Sequence, residues 1–312
     1  MRDHVLIVGS GNMGSGIAAR SALAGSRTFI TNRTVEKAQK GRDMAITAMR
    51  ELVDNELSTE EQFSRACEIL EARVLDSSVL DQSEFVIEAV YENLELKQQV
   101  FQELDDALPP EVIIASNTSG MRITDIAAKT VHKERCLTTH FWFPGHLVPL
   151  VEVVMSDWTK YEYAVATKER LASWGKAPVI VKKDCPGHLA NRILQAVIRE
   201  ATNIVEMGLA SPEDVDTAVK MGMGIRFPIW GPLEHIDAVG LDICTSVQDT
   251  VLPVISSLPK ANDLMRNLTE SGNLGYKTGK GIFDWSKLDM EEKARKRNEF
   301  IIYALKKIEL PK

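Results

Sequence analysis

The sequence predicts an α/β chain in which a doubly wound, parallel-sheet domain is followed by an all-helical one. Three observations carry this. A glycine-rich turn joins a β-branched run to a helix at the start of the chain; strand and helix patterns then alternate to about residue 185; beyond Pro186-Gly187 helical patterns continue and strand signals nearly vanish. A length of 312 residues allows two domains, each able to bury a core, and residues 1–185 and 186–312 are read as the pair.

Val5-Leu6-Ile7-Val8 reads as the first strand, Ile17 to Ala24 as a helix stopped by Gly25, and Arg27 to Thr31 as the second strand of a βαβ unit. From Glu36 to about Ile69 Ala45, Ala48, Met49, Leu52 and Val53 recur at helical spacing, predicting a helical arm. Phe85-Val86-Ile87, Val112-Ile113-Ile114 and Cys136 to His140 read as strands, with Leu94 to Leu104 and Ile123 to Ala128 as helices between them. Such alternation predicts a parallel sheet covered on both faces. In the second domain Asn191 to Met207 and Leu241 to Leu258 read as helices, and Ser286 to Lys312 as a charged amphipathic terminal helix.

With 44% apolar and 26% charged residues, the composition is that of an ordinary globular protein and excludes disordered, collagen-like and coiled-coil chains. Opposing 37 Lys+Arg to 44 Asp+Glu leaves −7, which does not favour a nucleic-acid partner. No apolar run approaches the ~18 residues of a membrane span, and Met1-Arg2-Asp3-His4 opens straight into a strand, unlike a signal peptide. Cys67, Cys136, Cys185 and Cys244 are scattered, without metal-ligand or redox spacing. Together these predict a cytoplasmic, metal-free chain acting on a small molecule, with no nucleic acid and no membrane.

Gly9-Ser10-Gly11-Asn12-Met13-Gly14 lies between the first strand and its helix, the context that makes Gly-x-Gly-x-x-Gly a dinucleotide signature. Gly9 serves the tight turn, Gly11 lets amides approach a pyrophosphate, and Gly14 allows close helix–strand packing in a Rossmann-type unit. Where an NAD site places an acid for the ribose 2′-hydroxyl, this chain has Asn32-Arg33-Thr34, followed by Lys37. Asn does not repel a 2′-phosphate and a guanidinium can grip one, so NADP(H) is favoured over NAD(H). In the plainer alternative Asn32 caps a helix starting near Val35 and Arg33 is merely solvated.

Residues 115–155 hold the densest chemistry. Ser116-Asn117-Thr118-Ser119 follows a buried strand, His140 closes the next, and Glu152 interrupts the apolar strand Pro149 to Val154. A half-buried acid needs a partner. An imidazole fits, because a carboxylate on one ring nitrogen fixes the tautomer while the other nitrogen takes a proton.

At these residues the chain resembles the L-3-hydroxyacyl-CoA dehydrogenase family. The resemblance rests also on Glu88-Ala89-Val90-Tyr91-Glu92-Asn93, Pro186 to Arg192, Gly231-Pro232-Leu233-Glu234 and Gly275 to Gly281. It implies that His140 is the general base, that Glu152 orients it, and that Ser119 and Asn191 hydrogen-bond the substrate oxygen. It implies cofactor contacts from Glu88, Glu92, Asn93, Lys97 and Asn117, besides the glycine motif. It also implies an active site in the cleft between the domains, fatty-acid metabolism, and a homodimer formed through the helical domain.

The chain departs from the family in three places. Phe143-Pro144 stands where Asn-Pro is usual, Asn32 replaces the acid, and the arm tip reads Val53-Asp54-Asn55-Glu56-Leu57 where lysines would meet coenzyme A. Arg42, Arg50, Arg65 and Arg73 elsewhere on the arm leave a phosphate site open. Three functions are therefore weighed. The leading one is an NAD(P)-dependent 3-hydroxyacyl-CoA dehydrogenase. The second is a dehydrogenase of a small non-CoA hydroxy acid, alcohol or aldehyde, of carnitine, gulonate or heteroaromatic type. The third is a silent nucleotide-binding protein, which the full set of His140, Glu152, Ser119 and Asn191 argues against. His146 could face the substrate, the Trp142-Phe143 pair is read as pocket wall or core, and His4, His132, His188 and His235 are dispersed without forming a metal-ligand set.

Overall fold

A computed structural model describes residues 3–308, which divide into two compact units, residues 3–189 and Ala190–Ile308. In the first, eight strands form one sheet: β1 His4–Val8, β2 Arg27–Asn32, β3 Leu70–Val74, β4 Ser83–Glu88, β5 Ile113–Ser116, β6 Cys136–Phe141, β7 Leu150–Met155 and β8 Ala177–Val181. Their order is β3-β2-β1-β4-β5-β6-β7-β8. The chain thus winds outward in both directions from β1 and β4, the doubly wound arrangement. Every residue of β1 is buried, as expected of a central strand covered on both faces.

The helices of this unit are α1 Asn12–Leu23, α2 Val35–Asp54, α3 Glu60–Ile69, α4 Ser77–Leu80, α5 Leu94–Ala107, α6 Ile123–Ile126 and α7 Tyr161–Ser173. The arm is two helices rather than one run. Thr59 and Gln62 form a capping box that starts α3 afresh after the turn at residues 55–58.

Two strands escaped the sequence, both at sheet edges. β3, Leu70-Glu71-Ala72-Arg73-Val74, carries charges that only an edge tolerates. β8 contains Pro178, which costs no ladder bond on a strand with one free side. The sheet is parallel as expected except for one pair, β6 and β7, which are antiparallel. Residues 142–149 hold no helix, and so short a connection can only fold back.

The second unit consists of α8 Ala190–Glu206, α9 Pro212–Ala218, α10 Pro232–Val239, α11 Leu241–Val251, α12 Asp263–Glu270 and α13 Met290–Leu305, with no strand among the described residues. Ser211, Asn262 and Asp289 cap α9, α12 and α13 through their side chains. The helix expected to reach Leu258 ends at Val251, ahead of Pro253, which cannot continue it. The expected terminal helix begins only at Met290, and residues 309–312 lie outside the described residues. None of the described helices is long and apolar enough to cross a membrane.

Candidate active site

The carboxyl ends of β1 and β4 flank the point where strand order reverses, and a groove opens there between Gly9–Met13 and Ala89–Tyr91. Gly9 has φ +115°, and an added Cβ would lie 2.5 Å from the Ala89 carbonyl oxygen. A methyl on Gly14 would collide with the Gly9 carbonyl, whereas one on Gly11 would meet nothing within 4 Å. Close packing on one side and open backbone at the start of α1 on the other is the cradle a pyrophosphate needs, and α1 carries no acid in its first turn. These residues fit a dinucleotide.

Asn32, Arg33 and Lys37 line the same groove. Asn32 does not cap α2. Its Nδ2 donates to Ser10 Oγ at 2.7 Å and its Oδ1 accepts from the Arg33 amide at 2.7 Å, tying the end of β2 to the glycine turn. Thr34 is the cap, accepting from the Lys37 amide. Among the described residues neither Arg33 nor Lys37 has a carboxylate partner.

The direct cofactor contacts expected of Glu88 and Lys97 give way to a supporting role, because both side chains are essentially inaccessible. Lys97 Nζ donates to Glu88 Oε1 at 2.8 Å and Oε2 at 3.1 Å, with Glu92 Oε2 at 3.3 Å. Glu88 also accepts from the Val90 amide and the Ser116 hydroxyl, so the pair fixes the loop that walls the groove. Asn93 caps α5. Glu92 accepts from Thr118 Oγ1 at 2.5 Å and the Ser119 amide at 3.2 Å. Burial raises the Glu92 carboxyl, but the Thr118 hydroxyl, Lys97 and the Ser119 amide outweigh it and leave it below the usual carboxylate range. Asn117 braces two strand ends, its Oδ1 accepting from the Phe141 amide at 2.9 Å.

His140 and Glu152 are paired residues of the β6–β7 ladder, so their side chains emerge side by side on one face. His140 Nδ1 donates to Glu152 Oε2 at 2.7 Å, with Glu152 fully buried and His140 6% exposed. The carboxylate can only accept, which puts the proton on Nδ1 and leaves Nε2 as the free basic nitrogen. Three further supports lay beyond the sequence reading. Trp142, two residues along and so on the same face, donates Nε1 to Glu152 Oε2 at 3.1 Å. The Leu189 amide donates to Glu152 Oε1 at 2.8 Å. His188 stacks obliquely near His140, with ring centroids 5.4 Å apart. Trp142 was legible from the two-residue period; the other two come from a loop, where no periodicity speaks.

Ser119 is exposed at the end of the β5 turn. Asn191 is the second residue of α8 in the helical unit, where its Oδ1 accepts from Gln195. His146 Nε2 is bonded to Glu51 of α2 at 2.7 Å. Of the arm's arginines, Arg42 donates to the carbonyls of Leu70 and Cys67, Arg50 to Glu60, and Arg73 to Glu71 and Ser78. These three are spent on the protein itself.

The NAD-binding domain model of 3-hydroxyacyl-CoA dehydrogenase matches residues 4–185, and the C-terminal domain model of the same enzyme matches residues 187–285. The chain is 34% identical over 289 residues to mitochondrial hydroxyacyl-coenzyme A dehydrogenase of Mus musculus, covering 90% of this chain and 91% of the relative. Its structure is similar to that of 5-formyl-3-hydroxy-2-methylpyridine 4-carboxylic acid 5-dehydrogenase, an NAD+-dependent dismutase, with TM-score 0.89 at 30% identity over 99% of this chain and all of that one. It is also similar to (S)-3-hydroxybutyryl-CoA dehydrogenase of Ralstonia eutropha, with TM-score 0.76 at 34% identity over 92% of this chain and all of that one.

Proposed function

The chain belongs to the 3-hydroxyacyl-CoA dehydrogenase family, and on that premise we propose that it interconverts a hydroxyl-bearing and an oxo-bearing carbon of a small, non-CoA substrate. The observation that carries the chemistry is the His140 Nδ1–Glu152 bond of 2.7 Å. The bound nicotinamide dinucleotide supplies hydride exchange. His140 Nε2 removes the hydroxyl proton in oxidation and returns it in reduction. Glu152 holds the tautomer and stabilises the imidazolium, while the Trp142 and Leu189 donors keep that carboxylate in place. Ser119 and Asn191 are assigned, by family resemblance, to the oxygen of the reacting carbon.

The arm favours a substrate without coenzyme A. Its tip is acidic at Asp54 and Glu56, and three of its arginines are engaged internally. A 3-hydroxyacyl-CoA substrate is the second reading, favoured by the family itself. NADP(H) as the preferred dinucleotide is supported by the groove-lining Arg33 and Lys37, and a homodimer by apolar side chains exposed on the helical unit, such as Ile229 and Leu233.

Acetoacetyl-CoA and a panel of small oxo acids and aldehydes, each with NADH and NADPH, separate the readings. Turnover of a small compound alone is expected, and rapid reduction of acetoacetyl-CoA moves the assignment to the acyl-CoA class. In either case His140→Ala should abolish turnover while dinucleotide binding persists. An active His140→Ala variant would sink the mechanism.

A further inference from the structure

His188 is almost wholly buried, at 2% exposure, and takes an unusual backbone conformation for a ring-bearing residue, with φ +50°. Its amide donates to the Cys185 carbonyl, closing a tight turn. Its Nε2 lies 3.3 Å from the Thr118 carbonyl oxygen. A carbonyl only accepts, so Nε2 carries the proton. Nδ1 is then a bare lone pair, screened from water and without a hydrogen-bond partner. One residue on, the Leu189 amide holds Glu152. The two consecutive residues therefore grip both halves of the site: the side chain of one takes the turn leading to Ser119, and the amide of the other takes the acid behind His140.

We propose that His188 is a positioning residue for this site, an imidazole whose Nε2–H pins the Thr118–Ser119 turn against the His140–Glu152 pair. The proposal rests on the reading of His140 as the base. The surroundings disfavour a charge on the ring. The charged or titratable groups around the ring are His140, Glu152 and Asp184. Burial is the largest influence and lowers the basicity of His188; the Thr118 carbonyl partly opposes it, His140 reinforces it, and Glu152 and Asp184 oppose it, with a net fall. A second proton on Nδ1 would also find no acceptor.

Long-range 1H–15N spectra of the imidazoles in the full chain test this directly. His188 should stay in the Nε2–H tautomer and remain unprotonated down through its ordinary value of 6.5. A His188 that protonates above that value, or populates both tautomers, overturns the proposal. Kinetics supply the second test, with whichever substrate the chain turns over. His188→Phe removes the donor but keeps ring bulk; kcat should fall roughly 10- to 100-fold, the scale of a misplacement of about 1 Å, with the Kd for NADH unchanged. His188→Gln, which restores an N–H at similar reach, should recover most of the loss. Full kcat in His188→Phe overturns the proposal, and if that variant does not fold the spectra decide alone. If His140→Ala proves active the base assignment fails, and that failure is distinct because the His188 spectra are unaffected by it.

Discussion

A carboxylate at the end of β2 would accept bonds from a free ribose and repel a phosphorylated one. Asn32 does neither, since its amide is occupied by Ser10 and the Arg33 backbone. The groove wall there carries instead a pair of cations, Arg33 and Lys37. Replacing Arg33 by Ala should raise the KM for NADPH at least about tenfold, the 1.4 kcal/mol or more expected from one charge-assisted contact, while the KM for NADH changes little. Steady-state titration with both coenzymes measures the difference, and equal effects would remove the phosphate contact from the account.

Among the elements, the end of β4 depends on an ion pair with no access to water. Removing one partner of such a pair leaves the other as an uncompensated buried charge. Lys97→Met should therefore cost about 3–5 kcal/mol in a urea unfolding curve and weaken dinucleotide binding, because Glu88 also anchors the Val90 amide at the groove. A loss under 1 kcal/mol would contradict it. This pair also marks where sequence reading stopped. The family resemblance makes Glu88 and Lys97 cofactor contacts, but whether a polar side chain faces a cavity or another side chain is set by the helix that covers it. The glycine motif, by contrast, was legible because φ +115° at Gly9 leaves few other residues possible. β3 and β8 were missed because edge strands lose the apolar pattern that announces central ones. His140 and Glu152 were read as partners on chemistry, before the antiparallel register placed them opposite one another.

At the scale of the whole molecule, acid should destabilise the fold in two stages. His188 is held below its ordinary value of 6.5, so between that value and its lower native one the unfolded chain binds a proton that the native chain refuses. Stability therefore falls as pH drops below about 6.5. Glu92 is held below 4.5, so its stabilising bonds are present above that value and lost as pH falls through the native one. Melting temperatures across this range should decline in both windows for the unsubstituted chain and lose the upper decline in His188→Gln. Association is a second property at this scale. Ile229 and Leu233 are more than 70% exposed on the chain alone, a condition soluble helical units rarely leave uncovered. Sedimentation equilibrium should report a dimer, and a double change of Ile229 and Leu233 to Glu should shift it to monomer; an unsubstituted monomer would refute the association.

The ladder that brings Glu152 to His140 has a consequence for how such a chain can diversify. The acid arrives by strand pairing, so the intervening residues 142–149 do not set the distance between the two groups. Insertions beyond Trp142, which itself holds Glu152, would leave the His140–Glu152 bond intact. A single-residue slip of β7 would turn the carboxylate to the opposite side of the sheet and silence it. The pairing of acid and imidazole is thus written into the strand register, and the bend past Trp142 can lengthen without disturbing it.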